Sequence, residues 1–240
     1  MSIHVFDNPN QLYEKAAEQI VTIGREAITQ KGQFALTLSG GSTPAGVYNT
    51  LAQSFKDQLD WQKVYLFWGD ERCVVATHPD SNYRMANENL ISKISIPSGH
   101  VHRVASEEDP LLAAQQYEDE MRDFFGIYGS GFPEFDLILL GLGDDGHTAS
   151  LFPESEALHE SERWVSDNFV KKLKAHRVTV TFPLINHAAN VMFIVSGSSK
   201  ASICHQILEE KKDYPAQKVQ PKSGNLFWFL DKEAGNKLKV

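Results

Sequence analysis

Four short stretches rich in glycine, hydroxyls and charged side chains carry the chemistry that this chain could perform. The stretch GLGDDGHTASLFP (141–153) contains the spacing G-x-G-x-x-G directly after the apolar run DLILL. Glycines at that spacing say only that the backbone turns sharply and is approached closely. Asp144 and Asp145 occupy the turn where a dinucleotide loop presents bare backbone to pyrophosphate, and their charge repels it. Pro153 also ends any helix quickly where the dinucleotide fingerprint needs one to open. The dinucleotide reading is therefore rejected, and what remains is a tight turn presenting His147. A histidine is more often structural, but one in a glycine-flanked loop at a strand end is a candidate acid or base. Asp144, Asp145 and His147 read equally as metal ligands on residue type, but no second histidine or clear further ligand completes the set, so no metal is expected.

SGGSTP (39–44) supplies two glycines, the hydroxyls of Ser39, Ser42 and Thr43, and a helix start. Exposed N–H groups there favour phosphate, which makes Ser39, Gly40, Gly41, Ser42 and Thr43 candidate substrate contacts. The plainer reading is a strand-to-helix turn with Ser42 or Thr43 as cap. The lysine of a nucleotide-triphosphate loop is missing. GDER (69–72) places Asp70, Glu71 and Arg72 at another strand end; Arg72 suits phosphate, and the acids suit either a site or a structural ion pair. SGSSK (196–200) sets Lys200 at a helix start against the helix dipole, a local violation of the kind that functional sites carry, against the alternative of a solvated lysine.

These residues need a frame that brings four loops together. Leu12, Ala16, Ile20, Ile23 and Ala27 predict an amphipathic helix over 11–30, and FALTL (34–38) a buried strand followed by a helix from about Pro44. VYLFW (64–68), DLILLG (136–141), RVTVTF (177–182), VMFIVS (191–196) and LFWFLD (226–231) read as further strands; 82–94, 112–125 and ASICHQILEE read as helices. Ahead of FALTL stand a strand-like start and the first helix. Short apolar strands alternating with helices predict an α/β fold, a mainly parallel open sheet with helices on both faces. In such a sheet the ligand lies beyond the carboxyl ends of the strands, so SGGSTP, GDER, GLGDDGHT and SGSSK are expected to wall one site.

Composition bounds the rest. The 240 residues suit a single domain over 1–240; apolar residues make up 42% and charged residues 22%, the balance of a globular chain. The net charge of −8 argues against nucleic acid or an anionic membrane as partner, and an anionic small molecule could bind only where cations or amides gather. MSIHVFDNPN lacks the basic and apolar regions of a secretory leader, and no apolar run has membrane-spanning length. Cys73 and Cys204 lack CxxC spacing and are expected to be thiols of a reducing compartment, the cytoplasm.

Taken in order, LSGGSTP, WGDER, SNYRMANENL, GLGDDGHTASLFP and VSGSSK resemble the 6-phosphogluconolactonases of the pentose phosphate pathway, across about residues 34–200. SGGSTP is shared with the related glucosamine-6-phosphate deaminases and isomerases. Arg72 stands where that group has tyrosine, and SLFP replaces its FNEP segment, so a deaminase-type glutamate is missing. The resemblance implies hydrolysis of 6-phospho-D-glucono-1,5-lactone to 6-phosphogluconate without a cofactor. It implies His147 as the catalytic base, Asp70 supporting it, and Arg72 and Lys200 contacting phosphate. The alternatives are the deaminase or isomerase activity, and a non-catalytic sugar-phosphate sensor domain. The sensor would want a helix-turn-helix ahead of the sheet and would not need His147. Oligomeric state is open, with a monomer favoured, and residues from about 205 to 240 match no motif.

Overall fold

The computed structural model describes residues 1–239. Its strands are β1 (Ser2–Phe6), β2 (Phe34–Leu38), β3 (Val64–Trp68), β4 (Asp70–Arg72), β5 (Leu137–Leu140), β6 (Val165–Val170), β7 (Ala175–Val180), β8 (Asn190–Val195) and β9 (Asn225–Asp231). Its α-helices are α1 (Pro9–Lys31), α2 (Ser42–Thr50), α3 (Asn82–Asn89), α4 (Pro110–Phe125), the single turn α5 (Phe182–Ile185) and α6 (Ala201–Leu208). Six strands form one sheet in the order β1-β9-β8-β5-β2-β3, and every pairing in it is parallel. Every residue of FALTL and of LILL is buried, as a strand covered on both faces requires.

The helix ends follow local chemistry. Asn8 caps α1 by accepting the Gln11 N–H at 3.0 Å, and Gly32 closes it with a φ of 79°. Asp109 caps α4 through Leu111 and Leu112, with Pro110 in the first turn. Helix α3 stops at Asn89 and gives way to a 3-10 turn over Ile91–Lys93, short of the expected end at 94.

Three expectations need correction. GDER is not a loop: Asp70–Arg72 forms a strand, β4, paired antiparallel with β7. RVTVTF belongs not to the parallel sheet but to a second one, β4-β7-β6, whose strand β6 has no counterpart in the sequence reading. Neither Ser42 nor Thr43 caps α2; the capping position is Gly41, without a side-chain hydrogen bond.

Only Gly69 separates β3 from β4, and it ties the sheets together, donating to the Leu38 carbonyl at 2.9 Å and accepting from Val180 N at 2.9 Å. The small sheet therefore stands off the carboxyl edge of the large one. After β3 the chain crosses back to place β5 on the other side of β2. This reversal is the switch point at which parallel sheets open a crevice. No described helix is long and apolar enough to cross a membrane. Cys73 and Cys204 are both thiols, pushed up by burial to about 11 and about 12.

Candidate active site

The loops after β2 and β5 flank the switch point, and the cleft between them has a volume of about 430 Å³. Ser39, Gly40, Gly41, Asp70, Arg72, His147 and Lys200 all line it, as the four-loop convergence predicts. Ser42 and Thr43 do not; Thr43 Oγ1 instead meets Ser196 Oγ at 2.9 Å, joining the loop after β2 to the loop after β8. The amides of Gly40 and Gly41 donate to no described group. A Cβ at Gly40 would collide with the Asn82 side chain unless that amide moved.

The loop after β5, which carries His147, is built from its own hydrogen bonds. Gly143 N donates to His147 O at 2.9 Å, Gly146 N to Gly143 O at 3.0 Å, and Thr148 Oγ1 to Gly141 O at 2.9 Å. The His147 ring lies flat on Phe152, centroids 3.8 Å apart, and its side chain is 26% exposed. A Cβ at Gly143 would strike the imidazole, so the ring can pack against this turn only with glycine beneath it. Residues far along the chain brace the loop: Ala216 N donates to Gly146 O at 2.9 Å.

The carboxylate on His147 is Asp145, not Asp70. Asp145 Oδ1 lies 2.5 Å from His147 Nδ1, and its other oxygen accepts from Lys172 Nζ at 2.9 Å. Burial pushes the Asp145 carboxyl up, but the hydrogen bonds from His147 and Lys172 outweigh it and bring the group down to about 2. With Nδ1 committed to a carboxylate, Nε2 is the nitrogen left to accept a proton. Asp70 is buried beside this pair and is turned elsewhere: Ser150 Oγ donates to its Oδ2 at 2.6 Å and Asn82 Nδ2 reaches Oδ1 at 3.4 Å. Its strand sets that direction, since β4 aims alternate side chains to opposite sides. Glu71 accordingly points away and pins the start of α3, accepting from Asn82 N and Tyr83 N at 2.8 Å each. Burial raises the Glu71 carboxyl, against the lowering by those backbone donors.

Two cations in the cleft escaped sequence reasoning. Lys172 and Arg177 come from the β6–β7 hairpin, and Arg177 stands directly opposite Arg72 in the β4–β7 register. Burial and then the Arg72 charge lower the Arg177 guanidinium. Neither arginine forms an ion pair among the described residues; Arg72 donates to the Asp80 carbonyl at 2.6 Å and Arg177 to the His176 carbonyl at 2.9 Å. The two lysines differ. Lys172 is held by Asp145, and Lys200 by Asp144 at 2.5 Å. A cross-strand arginine pair was the available signal, but it needs the antiparallel register, which the sequence does not display. Among the described residues no group of three His, Cys, Asp or Glu side chains could hold a metal ion.

The switch point of this α/β fold thus brings together a histidine–carboxylate pair and two arginines that form no ion pair among the described residues. Residues 7–228 match the family described as glucosamine-6-phosphate isomerases/6-phosphogluconolactonase, and the chain belongs to that family. It is 43% identical over 241 residues to a Synechocystis sp. protein named 6-phosphogluconolactonase, spanning 99% of this chain and 98% of that one. An Arabidopsis thaliana protein named probable 6-phosphogluconolactonase 1 is 38% identical, spanning 98% of this chain and 93% of its own length. The solved 6-phosphogluconolactonase of Trypanosoma cruzi superposes with a TM-score of 0.89 at 30% identity, covering 100% of this chain and 97% of that one. A monomeric glucosamine-6-phosphate deaminase shares the fold, with a TM-score of 0.82 at 21% identity.

Proposed function

We propose that this protein hydrolyses 6-phospho-D-glucono-1,5-lactone to 6-phosphogluconate, in the cytoplasm and as a step of the oxidative pentose phosphate pathway. The observation that carries the reading is the meeting, in one cleft, of the Asp145–His147 pair with an arginine pair that no carboxylate neutralises. Arg72 and Arg177 bind the phosphate, and Lys200 joins them on release from Asp144. Water attacks the lactone carbonyl while His147 Nε2 takes its proton; Asp145 orients the ring and offsets the imidazolium charge. The carbonyl oxygen becomes an oxyanion, for which the unused amides of Gly40 and Gly41, which line the cleft, are candidate donors. Collapse of this intermediate breaks the bond to the ring oxygen, which leaves with the proton carried by His147.

A lactone carbonyl is electrophilic enough to need no cofactor, metal or covalent intermediate. Asp70, lining the cleft with an oxygen held by Ser150, supports the reaction as a hydroxyl acceptor for the sugar rather than as the partner of His147. The reading takes a single domain over 1–240 acting as a monomer, and the net charge of −8 supports neither nucleic acid nor an anionic membrane as partner. The test is an assay with freshly generated lactone, corrected for spontaneous opening. Enzyme-dependent formation of 6-phosphogluconate is expected, with no ammonia released from glucosamine 6-phosphate; the reverse pattern defeats the reading.

A further inference from the structure

The β6–β7 hairpin touches the catalytic loop through Lys172, which shares one carboxylate with His147. Lys172 Nζ donates to Asp145 Oδ2 at 2.9 Å, while Oδ1 of the same group takes His147 Nδ1 at 2.5 Å. The lysine side chain is 69% exposed and the aspartate 25% exposed, so the contact is electrostatic rather than packing. A carboxylate that already holds one cation attracts a second less strongly. An ammonium and an imidazolium bridged by one carboxylate are like charges in close succession.

We propose that Lys172 is a positioning residue for the proton acceptor: by holding the far oxygen of Asp145, it fixes that carboxylate on Nδ1 and keeps His147 uncharged. The base then remains competent at lower pH than an aspartate–histidine pair alone would permit. This rests on the reading that His147 takes the proton from water. The other charged groups around the ring are accounted for. Asp144, on the same loop, is paired with Lys200 from the loop after β8; Asp70 and Arg72 come from β4, and Arg177 from β7. Among the described residues, Lys172 is the one cation on the carboxylate that holds the imidazole. The depression of Asp145 to about 2 agrees with a doubly engaged carboxylate, burial acting against it.

The test is the pH profile of kcat/KM for Lys172→Met and Lys172→Arg, with spontaneous hydrolysis subtracted at each point. The acid limb of Lys172→Met should move upward by about 0.5–1 pH unit, the effect of one charge a few ångströms away in a half-solvated cleft, and less at high salt. Lys172→Arg should return it. A limb that stays in place in Lys172→Met, even if the plateau rate falls, overturns the proposal and leaves Lys172 as a surface tether. His147→Gln, measured alongside, separates the two levels. If it abolishes turnover while Lys172→Met leaves the limb in place, only the role of Lys172 fails. If it retains turnover, the assignment of the base fails, and this proposal with it.

Discussion

Arg72 and Arg177 face each other in register on antiparallel strands, two like charges held side by side in the lining of the cleft. Like charges directly opposite one another destabilise a sheet, so the pair costs the free protein stability that the proposed phosphate would return. Arg177→Met is therefore expected to leave thermal stability unchanged or raised while weakening binding of the phosphorylated lactone by about 1.5–3 kcal/mol. Arg72→Met should do the same. Turnover of unphosphorylated gluconolactone should barely respond. Equal losses on both lactones would remove the pair from the phosphate site.

The turn beneath His147 predicts a loss without loss of binding. Gly143→Ala puts a methyl group into the imidazole and should lower kcat while KM stays near that of the native chain. Asp145→Asn offers an amide N–H to Nδ1, favouring the tautomer that protonates Nε2; it should cost about 10²–10⁴ in kcat, as should His147→Gln. Native kcat in His147→Gln with an unchanged acid limb would transfer the base role elsewhere, and Asp70 is then the next carboxylate to test.

Asp144 holds Lys200 in an ion pair, which an anion bound at Lys200 as proposed would have to displace. Its side chain is 72% exposed and sits 2.5 Å from Nζ, an ion pair of the kind worth about 0.2–1 kcal/mol. Asp144→Asn should therefore tighten competitive inhibition by inorganic phosphate about 2- to 5-fold. The effect should vanish in the Lys200→Ala background. Unaltered inhibition in Asp144→Asn would mean that Lys200 does not take part in anion binding.

Acid should loosen the loop after β5 in a definite window. Asp145 is held at about 2 in the folded chain, below its ordinary value of 3.8. A carboxyl depressed on folding contributes stability that is fully present above its unfolded value and is lost as pH falls through its folded one. The stability gap between the native chain and Asp145→Asn, measured by urea denaturation, should hold at pH 6 and shrink between about 4 and 2. A gap independent of pH across that window would show that the carboxylate charge is not what the loop depends on.

The sequence by itself determined the parallel sheet and the site's location. FALTL and VYLFW coincide with β2 and β3 because strands buried on both faces are short, almost wholly apolar and cut off by glycine and polar residues. Gly-rich loops after successive parallel strands must share one edge, which brought SGGSTP, His147 and Lys200 together before any coordinates. The small sheet was not legible in the same way. VSDNFV mixes polar and apolar residues, and Asp70–Arg72 is too short to show a period, so each is a strand only because a distant partner completes its hydrogen bonds. That pairing alone delivers Arg177 to Arg72 and carries Lys172 to the catalytic loop. Tertiary structure likewise chose Asp145 over Asp70 for His147. Asp70, Asp144 and Asp145 are equivalent on paper, and the directions of their side chains follow from a turn closed by Gly143 and Gly146 and from a strand whose alternation sends Asp70 to Ser150.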